Sequence, residues 1–267
     1  MICTAALPAG GAGGTDLCIS IRLFSGKWAI LMKEIFVFVG SRKGESSSTY
    51  QYTKMILDRV CTERPVKVTV AFADGIELCS KCSSCFGSGV CAINDRMNEL
   101  KAKMLSADMI ILASGVYFQQ ISAEMKNFID RISYWAHTFE LAGKRCIIVT
   151  TSGSNGNEIA ESYLKRVAVS LGMQLIGTTC CHTMYPDELS APELLTERTG
   201  IISGAVINAL DGKTKPDSIP FQEQLFASMK KIYSEHEEFV HERRKWKQNG
   251  FFQAESFREI IDKRANA

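Results

Sequence analysis

Hydrophobic residues between Ile35 and Leu210 alternate between short apolar runs and longer amphipathic stretches. The apolar runs are rich in β-branched residues and predict five strands, at Ile35–Val39, Val66–Phe72, Asp108–Ala113, Arg145–Thr151 and Leu175–Cys180. The amphipathic stretches predict five helices, at Ser46–Val60, around Met97–Leu105, from Ser122 through Ile132, at Glu158–Leu171 and at Pro192–Leu210. This alternation predicts an α/β fold with a doubly wound, five-stranded parallel sheet.

The pattern differs before the first strand. Pro8–Gly14 consists of small residues and glycines that offer little to pack, so we expect residues 1–31 to form a flexible N-terminal extension. Met32 stands directly before the first strand, and we interpret it as the true start of the chain. The extension is therefore interpreted either as a mis-called upstream translation, and so not native, or as a dispensable arm.

The pattern changes again after the sheet region. Asp211–Ser218 is a turn-rich linker, and apolar residues then recur every three or four positions from Leu225 to Trp246. This spacing predicts one long helix that Asn249-Gly250 ends, within a helical C-terminal extension at 211–267 that follows a domain at 32–210. The extension packs either on its own domain or, as the complete sheet favours, on another subunit as an arm.

Composition excludes several classes of protein. Hydrophobic residues make up 46% of the chain, yet no apolar run reaches the length of about eighteen residues that a membrane-spanning helix needs. The net charge of +2 gives no reason to expect a nucleic-acid partner. The ten cysteines do not follow the pattern of a small secreted disulfide scaffold, so we expect a reducing, cytoplasmic location.

Four of the ten cysteines fall within the cysteine loop, Cys79–Cys91, with the spacing C-x2-C-x2-C-x5-C. The residues between them are small and polar and suit a tightly curled backbone. A compact loop with four thiolates is what an iron–sulfur cluster needs. Zinc is the main alternative, but its all-cysteine sites use two C-x2-C pairs. The spacing favours a cluster with Cys79, Cys82, Cys85 and Cys91 as ligands.

The loop after the first strand combines a glycine, a cation and a run of hydroxyl residues before a helix. Free N–H groups and the dipole at a helix N-terminus favour an anion. The sequence predicts a phosphate site made by Ser41, Arg42, Ser46, Ser47, Ser48 and Thr49. The loop matches neither a Walker A nor a GxGxxG motif, which disfavours ATP and a standard dinucleotide fold.

The loops after the third and fourth strands complete the predicted site. The third offers aromatic and apolar surface from Ser114, Gly115, Val116, Tyr117 and Phe118. The fourth offers amides and hydroxyls that suit the edge of a flat ring, from Thr151, Ser152, Gly153, Ser154, Asn155 and Gly156. Because ligands bind at the carboxyl ends of parallel strands, the three loops together fit FMN. Flavin carries its own chemistry, so no catalytic side chain is predicted.

Several motifs occur in a consistent order: Gly40-Ser41 with the following serines, the cysteine loop with Asn94–Met97, the segment from Ala107 to Tyr117, Lys126–Arg131, and Gly143-Lys144. With them, roughly residues 33–185 resemble the NADPH-dependent FMN reductase and iron–sulfur flavoprotein branch of the flavodoxin-like superfamily. The resemblance implies a flavodoxin-like fold, an FMN-dependent oxidoreductase, and a homo-oligomer, dimer or tetramer, with flavin near the subunit interface. The cysteine spacing is similar to that associated with a [4Fe–4S] cluster in iron–sulfur flavoproteins.

The function expected from the resemblance couples two-electron flavin chemistry to one-electron transfer by the cluster. Electrons would come from NAD(P)H or a ferredoxin-like donor, and the sequence does not choose between NADH and NADPH or name the acceptor. One alternative is a clusterless NAD(P)H-dependent flavin or quinone reductase, whose cysteine loop binds zinc or only shapes the backbone. Another is a non-enzymatic electron carrier that docks partners through its C-terminal extension.

Overall fold

The structure is a computed structural model that describes residues 16–17 and 32–265. Five long strands form one parallel sheet: β1 (Lys33–Gly40), β2 (Val66–Phe72), β3 (Met109–Tyr117), β4 (Arg145–Ser152) and β5 (Gln174–His182). Their order across the sheet is β2-β1-β3-β4-β5, and every neighbouring pair runs parallel. The order reverses between β1 and β3, which creates a crevice at the carboxyl edge of the sheet. The predicted α/β fold is confirmed.

Helices cover both faces of the sheet, at α1 (Ser48–Glu63), α2 (Ser84–Ser88), α3 (Met97–Ser106), α4 (Ala123–Ile132), α5 (Asn157–Ser170) and α6 (Thr196–Leu210). Strand β1 shows how one apolar run serves two cores. Phe36 and Phe38 face the core under α3, α4 and α5, where Phe38 stacks on Phe128 with ring centroids 3.7 Å apart. Val37 and Val39 face the opposite core, under α1 and α6. Burial on both faces explains the unbroken apolar strands.

Two short strands were not predicted. Gln120–Ile121 pairs antiparallel with the end of β3 and forms a tight hairpin there. Asp16–Leu17 pairs antiparallel with β2 at the edge of the sheet. The rest of the predicted flexible extension, 1–31, lies outside the described residues.

The C-terminal segment folds as α7 (Pro220–Glu235), α8 (Val240–Gln248) and α9 (Phe257–Ala265). The prediction of one long helix is wrong, because the helix ends at Glu235 and the chain turns before Val240. The turn lets Trp246 stack on Phe226, with ring centroids 5.2 Å apart, which a straight helix would prevent. None of the helices in the described part of the chain has the length and apolar character needed to cross a membrane.

The apolar face of α7, α8 and α9 is buried within the same chain. Phe226 and Trp246 form a third core with Phe139 and Ala142, which precede β4. The indole Nε1 of Trp246 donates a hydrogen bond to the His137 carbonyl at 2.8 Å. The favoured interpretation of this segment as an arm on another subunit is therefore wrong, and the alternative of packing on its own domain is the one observed.

Candidate functional site

A cleft of about 330 Å³ lies at the carboxyl edge of the sheet, between the loops that follow β1, β3, β4 and β5. We call it the strand-end cleft. Most of the residues predicted to bind a cofactor line it, and its full lining is Gly40, Ser41, Lys43, Ser47, Ser48, Thr49, Gly115, Val116, Tyr117, Thr151, Ser152, Gly153, Thr183 and Met184. Three loops predicted separately from the sequence therefore converge on one cavity.

Two adjacent serines in the loop after β1 have different environments. The Ser46 hydroxyl donates a hydrogen bond to the Lys43 carbonyl at 2.7 Å and does not line the cleft. Ser47 is the N-cap of α1, is buried, and makes no side-chain capping bond. Its hydroxyl is left for a ligand at the N-terminus of a 16-residue helix, where free N–H groups and the dipole favour an anion. Lys43 adds a positive charge to the same wall of the cleft.

Thr49 and Thr151 join the first and third of these loops. Their Oγ1 atoms lie 2.6 Å apart in a buried hydrogen bond, and both residues line the cleft. Thr53 Oγ1 donates to the Thr49 carbonyl at 2.7 Å and holds the first turn of α1 in place. The Thr49–Thr151 hydrogen bond thus holds the loop after β1, where the phosphate site is predicted, against β4.

The loop after β3 presents Tyr117 at the rim of the cleft. A Cβ on Gly115 would lie 3.2 Å from the Tyr117 ring and 3.5 Å from Thr49 Oγ1, so the small residue lets this rim close tightly. Phe118 is fully exposed and lies outside the cleft. Ser114 is buried and instead accepts a hydrogen bond from the Ser122 amide at 3.0 Å, which anchors the start of α4.

Asn157, the last residue of the loop predicted after β4, supports that loop. Its Nδ2 donates to Ser152 Oγ at 2.8 Å and lies 3.4 Å from His182 Nε2. Its Oδ1 is buried and has no hydrogen-bond partner among the described residues. An orphaned acceptor next to the cleft-lining Ser152 fits a polar ligand that would donate to it.

The loop after β5 is the part of the cleft that sequence reasoning missed. Thr183 Oγ1 donates to the Ser152 carbonyl at 3.0 Å, and the Met184 amide donates to the Gly153 carbonyl at 3.1 Å. A Cβ on Gly153 would lie 3.2 Å from Met184 Sδ, so a larger residue there would require the Met184 side chain to shift slightly. The strand-end rule applied to the fifth strand would have located both residues.

Glu188 holds the base of this last loop. Its Oε2 accepts hydrogen bonds from the His182 amide at 2.7 Å and from Arg198 Nη1 at 3.0 Å. Burial raises the pKa of this carboxyl, but the bonds from Arg198 and His182 outweigh burial and hold the pKa below its usual value. Glu188 is therefore ionised at neutral pH and pins the loop that carries Met184.

Other predicted residues lie beside the cleft without lining it: Arg42, Ser46, Ser114, Phe118, Ser154, Asn155 and Gly156. Arg42 faces Glu124, with Nε and Oε1 3.4 Å apart. Gly156 has a φ of +85°, and a Cβ there would lie 3.0 Å from Val116 Cγ1. It therefore has a structural role, because it lets the loop after β4 pass under the loop after β3.

The cysteine loop is held by side chains of α4. Asn127 Oδ1 accepts a hydrogen bond from the Cys79 amide at 3.1 Å, and Asn127 Nδ2 donates to the Glu77 carbonyl at 3.2 Å. Arg131 forms two hydrogen bonds to Asp95, which lies just beyond the loop. The motif Lys126–Arg131 quoted from the sequence thus positions the segment that carries the thiols.

The thiols of the loop differ in environment. Cys82 is exposed, and hydrogen bonds to Ser84 lower the pKa of its thiol to about 7. Burial raises the pKa of Cys85, and the nearby charges of Cys91 and Cys79 raise it further. A cavity of about 780 Å³ beside the loop is lined by Cys79 and Cys85 among others. Cys79 and Cys91 are therefore close enough to Cys85 to act on its thiol electrostatically.

Two cations lie behind the thiols. Burial lowers the pKa of Lys101, and negative charge on Cys91 and Cys85 opposes that shift. The charge of Arg131 is likewise stabilised in part by Cys91. Cys85 and Cys91 beside two cations are a suitable part of a donor set for an iron–sulfur cluster, because the cations favour the thiolate form that binds iron. Within the described ranges, however, no three of the His, Cys, Asp and Glu side chains are arranged to hold one metal ion.

The chain is similar in sequence to known flavoproteins. The chain is 29% identical to an iron-sulfur flavoprotein of Archaeoglobus fulgidus over 184 residues, which cover 66% of this chain and 80% of that protein. It is 32% identical to an FMN-dependent NADH:quinone oxidoreductase of Shewanella denitrificans over 109 residues, 36% of this chain and 53% of that one.

Solved structures share the fold. An FMN-dependent NADH-azoreductase of Bacillus anthracis, in complex with FMN, matches with a TM-score of 0.50 and 16% identity, over 66% of this chain and 100% of that chain. An NAD(P)H:quinone oxidoreductase of Methanothermobacter marburgensis matches with a TM-score of 0.52 and 14% identity, over 66% and 96%. The family model for NADPH-dependent FMN reductases matches residues 33–183, more than half of the chain. The chain belongs to the NADPH-dependent FMN reductase family and is an oxidoreductase.

Proposed function

We propose that this chain is an FMN-dependent NAD(P)H oxidoreductase that binds FMN in the strand-end cleft. The observation that carries the proposal is the convergence of the three predicted loops on one cavity. Ser47, with its unengaged hydroxyl at the start of α1, supports a phosphate position on one side. Tyr117 and Gly153, on the other side, support a position for the flavin ring. When bound, flavin supplies the hydride and single-electron chemistry.

The residues of the chain bind and orient in this proposal. Ser47, Ser48 and the N-terminus of α1 hold the phosphate, with Lys43 neutralising part of its charge. The Thr49–Thr151 hydrogen bond sets the distance between the phosphate position and the ring position. Met184 and Tyr117 flank the open side of the cleft, where NAD(P)H and the electron acceptor would approach.

We propose further that Cys79, Cys82, Cys85 and Cys91 hold a [4Fe–4S] cluster that exchanges single electrons with the flavin. The cysteine spacing, the electrostatic proximity of three thiols and the cations Lys101 and Arg131 support this. The names of the iron-sulfur flavoprotein relatives support it as well. No three of the described His, Cys, Asp and Glu side chains are arranged to hold one metal ion, and this favours a second candidate, a clusterless NAD(P)H-dependent flavin or quinone reductase.

The deciding experiment purifies the full chain without oxygen and measures FMN, iron and acid-labile sulfide. We expect one FMN and about four irons and four sulfides per chain, as a cubane cluster requires. Cys85→Ser is expected to lose the iron, whereas Cys180→Ser, a half-buried cysteine outside the loop, keeps it. FMN without iron selects the clusterless reductase or a zinc site. Failure to bind FMN, or to oxidise NADH or NADPH with FMN bound, overturns the oxidoreductase proposal.

We also propose a homo-oligomer, a dimer or tetramer, and a small-molecule or ferredoxin-like redox partner. Exposed apolar side chains around the cleft support a contact there: Tyr117, Phe118, Met184 and Tyr185. Light scattering of the FMN-loaded protein tests this, and a monomer would contradict it. The cytoplasmic location and the domain boundaries at 32–210 and 211–267 stay predictions from the sequence.

A further inference from the structure

Helix α8 contacts the cysteine loop through one unusually close pair. Gly89 ends the short helix α2 with a φ of +78°. A Cβ on Gly89 would lie 2.1 Å from Cε1 and 2.6 Å from Nε2 of His241, distances that real Cβ atoms do not tolerate. The His241 imidazole therefore occupies the space that any other residue at position 89 would need. Only glycine permits the contact.

The same part of the loop is held from a second direction. The Phe86 ring packs edge-on against His137, with ring centroids 5.1 Å apart. His137 Nδ1 lies 3.0 Å from the Tyr233 hydroxyl of α7, and the His137 carbonyl accepts the hydrogen bond from Trp246 of α8. Helix α2, which carries Cys85, is thus fixed on both sides by residues that the C-terminal helices position.

His241 is not explained by the stability of α8 itself. The side chain is 6% exposed, and Nδ1 is buried without a hydrogen-bond partner among the described residues. A buried ring nitrogen with no partner opposes folding, so an apolar residue would serve a purely structural contact better. The ring contacts the loop at Gly89, which lies two residues before Cys91 and four after Cys85. Its placement points to a role in the loop rather than in the helix.

We propose that His241 is a positioning residue that holds the cysteine loop closed, so that the C-terminal helices set the geometry of its thiols. The consequence for the cluster rests on the proposed function, whereas the contact involves only side chains of this chain. Without the ring, α2 gains space and the loop opens locally more often. The half-buried thiols of Cys85 and Cys91 then become more reactive, and a bound cluster becomes more exposed to solvent.

The first test compares two histidine variants of the full chain in cluster-free, reduced form. His241→Ala removes the buried ring, and His236→Ala removes an exposed ring that pairs with Glu238 in the turn before α8. Iodoacetamide labelling, mapped by mass spectrometry, measures the rate at each cysteine. We expect labelling of Cys85 and Cys91 to accelerate about tenfold in His241→Ala, and to stay within about twofold in His236→Ala. Equal rates in the wild type and His241→Ala overturn the proposal.

The second test uses the close approach itself. Gly89→Ala places a methyl group in the space that the His241 ring occupies. Gly212→Ala is the matched control, because Gly212 has a φ of +73° and no atom within 4 Å of its Cβ position. We expect faster labelling in Gly89→Ala and an unchanged rate in Gly212→Ala. In the double variant with His241→Ala the clash is gone and only the backbone strain of alanine at a φ of +78° remains, so Gly89→Ala should accelerate labelling less than it does with His241 present. Fully additive effects would show that the two residues act separately and overturn the proposal.

A third measurement distinguishes the positioning role of His241 from the presence of a cluster. In anaerobically purified, loaded protein, the reduction potential of the cluster is expected to shift in His241→Ala and to stay unchanged in His236→Ala, with equal FMN content in both. If the wild type holds no iron, the labelling rates still decide whether His241 closes the loop. If the wild type holds iron and both labelling and potential are insensitive to His241, the positioning role is refuted while the proposed function stands.

Discussion

The guanidinium of Arg131 and the carboxylate of Asp95 form a bidentate ion pair at the base of the cysteine loop, with Nη1–Oδ2 at 2.7 Å and Nη2–Oδ1 at 2.8 Å. Glu77, which precedes the loop, donates its amide to Asp95 and accepts from Arg131 through its carbonyl. The two ends of the loop are therefore tied to each other and to α4 by one pair of charges. The Arg131 side chain is 0% exposed.

Removal of Arg131 should leave a buried carboxylate without its partner. We expect Arg131→Met to lower the free energy of unfolding by about 3–5 kcal/mol, the usual cost of breaking a buried ion pair from one side. Lys126→Met, on the same helix, is the control, because its pair with Asp130 is exposed and contributes about 1 kcal/mol or less. Urea denaturation measures both. Similar losses for the two variants would contradict a structural role for the Arg131–Asp95 pair.

The same pair predicts a dependence of stability on pH. Burial raises the pKa of Asp95, but hydrogen bonds from Arg131 and from the Glu77 and Met97 amides outweigh burial and lower the pKa overall. Because folding lowers this pKa, the carboxylate of Asp95 stabilises the folded state. The stabilisation is complete above the pKa of the unfolded chain, near 3.9, and is lost as the pH falls through the lower pKa of the folded state.

Asp95→Asn removes this titration. The stability difference between the wild type and Asp95→Asn should therefore be constant from pH 7 down to about pH 5 and shrink below about pH 4. Urea unfolding at several pH values measures it. A difference that grows on acidification would mean that the folded pKa of Asp95 is raised, which contradicts the environment described.

Much of the fold was predictable because burial on both faces leaves a clear sequence pattern. Val66–Phe72 is a strand with the same bounds in prediction and structure. The prediction of one helix through Leu225 and Trp246 was wrong, because the apolar spacing continues across a turn at 236–239. The turn depends on the stacking of Trp246 on Phe226, a tertiary contact that local periodicity does not contain.

The site was predictable at the level of loops and less so at the level of side chains. The strand-end rule found three of the four loops that line the cleft, but Thr183 and Met184 follow β5 without the glycines or hydroxyl run that marked the others. Ser46 and Ser47 are indistinguishable in sequence. Their roles differ because α1 begins after Ser47, which makes Ser47 the cap and turns Ser46 toward Lys43.

The adjacent serines therefore give a matched pair for testing the phosphate position. Ser47→Ala should raise the dissociation constant of FMN about tenfold, the effect of losing one hydrogen bond to a charged group. Ser46→Ala should leave it within about twofold, because its hydroxyl is already bonded to the Lys43 carbonyl. Titration of apoprotein with FMN, followed by quenching of flavin fluorescence, measures both. A larger effect at Ser46 would place the phosphate elsewhere in the loop.

Trp246 tests whether the C-terminal helices and the sheet domain unfold together. Its side chain is 0% exposed, stacks on Phe226 and donates a hydrogen bond to the His137 carbonyl, so it joins α8 to residues that precede β4. Trp246→Ala should lower the free energy of unfolding by about 3–5 kcal/mol, as expected for deleting a large buried ring. Val240→Ala on the same helix, at a 58% exposed side chain, should change it by about 0.5 kcal/mol or less.

The number of transitions in the unfolding curve of Trp246→Ala is a further prediction. Because Phe139 belongs to the third core together with Trp246, the destabilised variant should still unfold in one transition that includes the sheet. Loss of bound FMN and loss of helical circular dichroism should therefore coincide along the urea gradient. A separate early transition, with FMN retained after the C-terminal helices unfold, would show that 211–267 is an independent unit that does not support the cleft.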